Sequence, residues 1–307
     1  MTARVLIVGG TGFVGRHLAA QLAPRYAVAA SGREVDVREA QALWTLVSKA
    51  QPDIVVNLAA ITTVRETVDD PRRTYATAVQ GLQNLLEALA AEGFAGRLLQ
   101  VSSSEVYGFP APEALPLTED AALRPMSPYA VAKVMAEMLC RQWTATAAFD
   151  ILTARPFTHI GPGQSDRFAT ASFARQIAEI EAGLRAPVIN VGRLDATRDL
   201  TDVRDVARAY EAILERGVAG ATYNVCSGTE TTMRTVLDAL IARSGLKIEV
   251  VEDAGLVRGA EQQRLCGSHA RLRADTGWAP QIPLALTLSD ILEDSLQRVR
   301  TDTRRPA

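Results

Sequence analysis

Tyr129 and Lys133 stand four residues apart at the start of a stretch whose apolar spacing predicts a helix, so they share a face. A phenol can hand a proton to a carbonyl oxygen if its pKa, near 10 in water, is brought down. A neighbouring ammonium does this by favouring phenolate, and a shift of about three units corresponds to roughly 4 kcal/mol. Six tyrosines and three lysines in 307 residues give only about 0.06 Tyr-x-x-x-Lys pairs by chance, so the spacing is informative. Upstream, Ser102-Ser-Ser-Glu-Val-Tyr-Gly108 follows an apolar run, and hydroxyls at such a turn can hydrogen-bond a substrate oxygen. At the start of the chain, Arg4-Val-Leu-Ile-Val-Gly-Gly-Thr-Gly-Phe-Val-Gly15 carries an apolar run into Gly9, Gly12 and Gly15, spaced G-x-x-G-x-x-G. Such a turn is tight, lets backbone approach phosphates, and places a dinucleotide pyrophosphate at the N-terminus of the following helix. Together these residues suggest proton donation to a carbonyl oxygen beside a bound dinucleotide.

The elements that would position them alternate strand and helix. Val5–Val8, Ala27–Ala30, Ile54–Leu58, Leu98–Val101 and Ile151–Thr153 read as buried strands. Between them lie helical periods, for example Tyr75, Val79, Leu82, Leu86, Leu89 and Val131, Val134, Met135, Met138, Leu139. Repeated βα units predict an α/β fold with a doubly wound parallel sheet and right-handed crossovers, ligands binding at the carboxyl ends of the strands. After Arg155-Pro156 the pattern changes, and Gly161-Pro-Gly163 is a breaker. The reading is a dinucleotide-binding domain over 1–157, with 192–226 returning to it, and a smaller α/β substrate lobe from 158–191 and 227–307.

Composition narrows the function classes. A net charge of −2 and 48% apolar content suit a full globular core and give no sign of a nucleic-acid or membrane partner. No apolar run matches a bilayer span, and Met1-Thr-Ala-Arg-Val5 enters a strand directly, so no signal peptide is visible. Cys140, Cys226 and Cys266 are few and far apart, which suggests a reducing cytoplasm rather than disulfides. Three scattered histidines make a metal site unexpected.

These motifs, in their order, resemble the extended short-chain dehydrogenase/reductase (epimerase/dehydratase) family over nearly the whole chain. The strings are Gly9–Gly15, Asn57-Leu-Ala-Ala60, Ser103 followed by Tyr129-x-x-x-Lys133, and Arg155-Pro-Phe157. Leu123–Lys133, His159–Ser165, Arg198–Asp205 and Tyr223–Gly228 point within it to the reductases of GDP-4-keto-6-deoxy-D-mannose. The resemblance implies that Tyr129 donates a proton, that Lys133 lowers its pKa and holds the nicotinamide ribose, and that Ser103 hydrogen-bonds the 4-keto oxygen. It further implies a cofactor site from Gly9, Thr11, Gly12, Phe13, Val14, Ser31, Arg33, Asp36, Val37, Leu58, Ala59, Ala60, Tyr129, Lys133 and Pro156. The substrate side would comprise Thr62, Ser104, Glu105, Thr158, Arg198 and Arg258, the two arginines on the diphosphate. The product would be GDP-D-rhamnose or GDP-6-deoxy-D-talose, according to the face that receives hydride.

The chain departs from the family at Ala78 and Thr158, where the family often has Asn, and at Gly259, where it usually has Pro. A 4,6-dehydratase using Glu105 as acid/base is a second reading, and a dinucleotide-sensing protein without chemistry a third. The cofactor is expected to be NADP(H). The second strand ends Ala30-Ser31-Gly32-Arg33, with a hydroxyl and a guanidinium where an NAD-binding fold usually has a carboxylate; the alternative has Arg33 in solvent and Glu34 or Asp36 on the ribose. A homodimer is expected because Leu82, Leu85, Leu86 and Leu89 exceed one helical stripe, and because this family pairs the helices near 74–90 and 129–145 across a two-fold.

Overall fold

The computed structural model describes residues 2–253, 255 and 262–304. In chain order the strands are β1 (Arg4–Val8), β2 (Ala27–Ala30), β3 (Ile54–Asn57), β4 (Arg97–Val101), β5 (Asp150–Pro156), β6 (Thr158–Ile160), β7 (Val188–Val191), β8 (Thr197–Asp202), β9 (Thr222–Val225), β10 (Glu230–Thr232) and β11 (Glu249–Glu252). The helices are α1 (Phe13–Leu22), α2 (Ala40–Ala50), α3 (Val64–Asp69), α4 (Pro71–Tyr75), α5 (Gly81–Ala91), α6 (Pro128–Thr144), α7 (Ala169–Glu181), α8 (Val203–Arg216), α9 (Met233–Ser244), α10 (Ala270–Thr276) and α11 (Leu284–Arg304).

Six strands pair in parallel in the order β2-β1-β3-β4-β5-β9. Their interiors are continuous apolar runs because helices cover both faces of the sheet. On one side Val5, Ile7, Leu99 and Leu152 pack with Leu18 of α1 and Ile213 of α8. On the other, Leu6, Val8, Leu98 and Ile151 pack with Leu43 of α2 and Leu82, Leu86 and Leu89 of α5. The strand order reverses between β1 and β3, so the crevice of this topology opens beside the Gly-rich turn after β1. The doubly wound α/β architecture is the one expected from the sequence.

Beyond β5 the chain builds two small sheets, β10-β8-β6 and β11-β7. They are held by a separate core of α7, α9 and α11 residues, among them Phe173, Ile177, Leu237 and Ile291. β8 belongs to the small sheet, whereas α8 and β9 lie against the large one. Between α4 and α5, residues Ala76–Gln80 form wide π-helical turns. One premise of the dimer expectation fails: Leu82, Leu85, Leu86 and Leu89 are all buried inside this one chain, because α2 and the sheet enclose α5. Of the two helices expected to pair, α6 is the one with exposed large apolar side chains among the described residues, Met135 and Met138. No helix among the described residues is long and apolar enough to cross a membrane.

Candidate active site

One cleft, of about 1580 Å³, runs from the Gly-rich turn to the small lobe. Its wall at the β1 end is shaped to admit a dinucleotide. Gly9 has φ +78°, and a Cβ on it would sit 2.9 Å from the Ala59 amide nitrogen. A Cβ on Gly15 would strike the Gly10 backbone, so only glycine allows α1 to lie so close to the turn. Gly12 caps α1 without a side-chain hydrogen bond, which leaves first-turn N–H groups available to an anion. Thr11, Phe13, Val14, Leu58, Ala59, Ala60 and Pro156 line the same cleft, so these residues fit a dinucleotide.

At the adenosine end, Arg33, Asp36 and Val37 line the cleft. Ser31 does not. It is buried at the end of β2, and its hydroxyl has no partner among the described residues. Asp36 is held by a two-pronged contact with Arg38, which keeps its carboxyl down at about 2. Arg33 makes no ion pair among the described residues.

At the other end, α6 presents Tyr129 and Lys133. The helix starts where it does because the Ser127 hydroxyl accepts the Ala130 N–H at 3.1 Å and Pro128 occupies the first turn. Tyr129 and Ser103 line the cleft together, with the Ser103 side chain near enough to favour the phenolate, and the Ser103 hydroxyl accepts the Glu105 N–H at 3.2 Å. Lys133 is buried, and its Nζ donates to the Val101 carbonyl at 2.7 Å. Burial pushes the Tyr129 phenol up to about 12, the Ser103 side chain working against it and the Glu105 charge with it. Burial also pulls Lys133 down to about 8, against the pull of Glu137. Desolvation dominates at the phenol, and the Lys133 ammonium is not among the groups that shift it.

Beneath this pair lies a network that sequence reading missed. Arg155 on β5 donates Nε and Nη2 to Glu137 of α6 at 3.0 and 2.7 Å, and Nη1 to the Tyr107 hydroxyl at 2.9 Å. Tyr107 in turn donates to Asn224 at 2.7 Å, and Ser102 donates to Glu137. The pair is buried, so it pins α6 to the sheet one turn below Lys133. The available signal was Glu137 itself, a charge four residues after Lys133 and thus on the same face of the helix.

On the substrate side, Thr62, Ser104, Glu105, Thr158 and Arg198 all line the cleft. Arg198 is fixed there by its Nη1, which donates to the carbonyls of Thr197 and Gln262 at 2.8 and 2.9 Å. Arg258 lies outside the described residues. Arg167, Phe168 and Arg193 also line this end and were not singled out from sequence. Ala78, on the π-helical turns, is buried and is not among the lining residues, whereas its neighbour Thr77 is. No group of three or more potential ligands that could hold a metal ion occurs among the described residues.

Comparison with known proteins agrees with this geometry. Residues 30–291 match the family model described as GDP-mannose 4,6 dehydratase. The GDP-6-deoxy-D-mannose reductase of Pseudomonas aeruginosa is 45% identical over 305 residues, covering 98% of this chain and all of that protein. The structure of RMD from Pseudomonas aeruginosa complexed with NADPH superposes with a TM-score of 0.90 at 45% identity, over 96% of this chain and 99% of that one. The UDP-glucose 4-epimerase of Thermus thermophilus, in complex with NAD, gives 0.84 at 26% identity over 95% and 98%. A match of this extent leaves one assignment: the chain belongs to the GDP-mannose 4,6 dehydratase family, within the extended short-chain dehydrogenases/reductases.

Proposed function

We propose that the protein reduces the 4-keto group of a GDP-4-keto-6-deoxy-hexose with NADPH, turning GDP-4-keto-6-deoxy-D-mannose into GDP-D-rhamnose or its C4 epimer. The observation that carries this is that Ser103, Tyr129 and Lys133 line the same cleft as the Gly-rich turn. The 45% identity to a GDP-6-deoxy-D-mannose reductase, and the NADPH in the related structure, support the substrate and the cofactor.

A dinucleotide held by the Gly9–Gly15 turn and Lys133 would supply hydride for C4. Ser103 donates a hydrogen bond to the keto oxygen and orients it toward Tyr129. Tyr129 gives its proton to that oxygen as negative charge develops, which completes the alcohol and is worth about 10²–10⁴-fold in rate. With its pKa near 12 the phenol keeps its proton until then. Lys133 holds positive charge beneath the ring, its Nζ 5.7 Å from the ring centre, and stabilises the phenolate left behind. Arg198 grips the diphosphate, where a guanidinium fork suits phosphate oxygens. In this reading residues 1–157 and 192–226 take the dinucleotide and 158–191 and 227–307 the sugar nucleotide. Two copies pair through α6, and the enzyme works in the cytoplasm, where its three buried thiols stay reduced.

The deciding experiment is incubation with GDP-4-keto-6-deoxy-D-mannose and NADPH, with the product identified by NMR. A parallel incubation with GDP-mannose and NADP⁺ tests the alternative, in which Glu105 removes water as acid/base. Formation of the 4-keto sugar from GDP-mannose, with no reduction of the keto sugar, would sink the reductase assignment.

A further inference from the structure

We infer that Glu34 is a specificity-determining residue: its carboxylate occupies the place of the cofactor's 2′-phosphate, so that NADPH has to displace it and NADH does not. The inference rests on the cofactor use proposed above. Glu34 Oε1 accepts the Gly32 N–H at 2.5 Å. Gly32 follows the end of β2, where this type of fold meets the adenosine 2′ position. A Cβ added to Gly32 would lie 2.3 Å from Thr11 Oγ1 and 2.7 Å from Glu34 Oε2, so the three residues converge on one point of the cleft wall. A backbone amide beside a hydroxyl and a guanidinium makes an anion site. Arg33, next in the chain and lining the same cleft, can bring a guanidinium to it: it makes no ion pair among the described residues, whereas Arg38 is already engaged by Asp36. Glu34 fills that site from within the chain, and the Gly32 amide holds its carboxyl below the usual range, so it stays charged at neutral pH.

A phosphate and this carboxylate cannot share the Gly32 amide. Glu34 is exposed and can swing into solvent when the phosphate arrives. With NADH it can stay where it is and accept the ribose 2′-hydroxyl. Arg33 therefore favours the phosphorylated cofactor and Glu34 disfavours it, and the balance of the two sets the preference.

The test is the Kd of NADPH and of NADH, read by fluorescence, for wild type, Glu34→Gln and Glu34→Ala. The Gln variant keeps an acceptor for the Gly32 amide and removes the charge. The ratio of NADPH to NADH affinity is expected to rise about fivefold or more in both variants, a size in keeping with one like-charge contact near the surface. A ratio within twofold of wild type, or a lower one, overturns the inference. An equal gain for both cofactors leaves the ratio unchanged and overturns it too, as a general charge effect. A wild-type protein that binds neither dinucleotide would instead overturn the cofactor reading on which the inference rests.

Discussion

The Lys133 ammonium donates to the Val101 carbonyl at 2.7 Å while lying 5.7 Å from the centre of the Tyr129 ring. It is thus anchored to the sheet, and burial brings it down to about 8. Its charged form dominates below that pH and is lost as pH rises through it. The Tyr129 proton persists to about 12 and so limits nothing in the usual range. At saturating NADPH, kcat/KM for the keto sugar is therefore expected to be level from about pH 6 to 7.5 and to fall above about 8. Lys133→Met should lower the plateau and remove the inflection. A fall near pH 8 that persists in that variant would assign it to another group.

Tyr129→Phe is expected to lower kcat by about 10²–10⁴-fold, because it removes the proton that neutralises the forming alkoxide. The ring still fills its place, so NADPH affinity and thermal stability should stay near wild type. Single-turnover reduction and a binding titration on the same preparation check both halves. Near-normal turnover would remove Tyr129 from the mechanism.

Glu137→Gln tests the support beneath the pair. The variant leaves Arg155 charged, buried and with a weakened partner, and breaking such a pair typically costs about 3–5 kcal/mol. The expected result is a Tm lower by about 10 °C, with turnover falling more than NADPH affinity as α6 shifts on the sheet. A Tm within about 2 °C of wild type would show that the network contributes little.

Much of this was legible because parallel strands covered on both faces read as unbroken apolar runs, as in Val5–Val8 and Leu98–Val101. The Tyr129–Lys133 spacing was legible because a helix brings residues four apart together. The Arg155–Glu137 pair was not, since it depends on how β5 is placed against α6 rather than on local spacing. Ser31 read as a cofactor contact from its place at the end of β2, yet its side chain is buried while Gly32 and Arg33 line the cleft. The leucines of α5 read as surplus because a helical wheel does not show that α2 and the sheet cover one helix from two sides.

Dimer formation can be tested on the surface that remains. Met135 and Met138 are three apart on α6, exposed and apolar. The Met135→Glu/Met138→Glu double variant is expected to run as a monomer by light scattering at micromolar concentration, where wild type runs as a dimer. Surface changes of this kind should leave the Tm of the isolated chain within a few degrees. A wild type that is itself monomeric removes the dimer from the proposed function.

Arg33 offers the most direct check on the cofactor. It lines the cleft next to Gly32, at the end of β2, and no carboxylate of the described residues pairs with it. A 2′-phosphate placed there would gain a charge-assisted hydrogen bond, whereas the ribose hydroxyl of NADH gains much less. Arg33→Ala should therefore raise the KM for NADPH by about tenfold, the value of one charged hydrogen bond of roughly 1.5 kcal/mol, and change that for NADH by less than about twofold. The shift is opposite in sign to that of Glu34→Gln, so the double variant should fall between the two singles. Steady-state kinetics with both cofactors on all four proteins reads this out. If wild type prefers NADH, or if Arg33→Ala leaves the cofactor ratio unchanged, the phosphate does not sit beside Arg33.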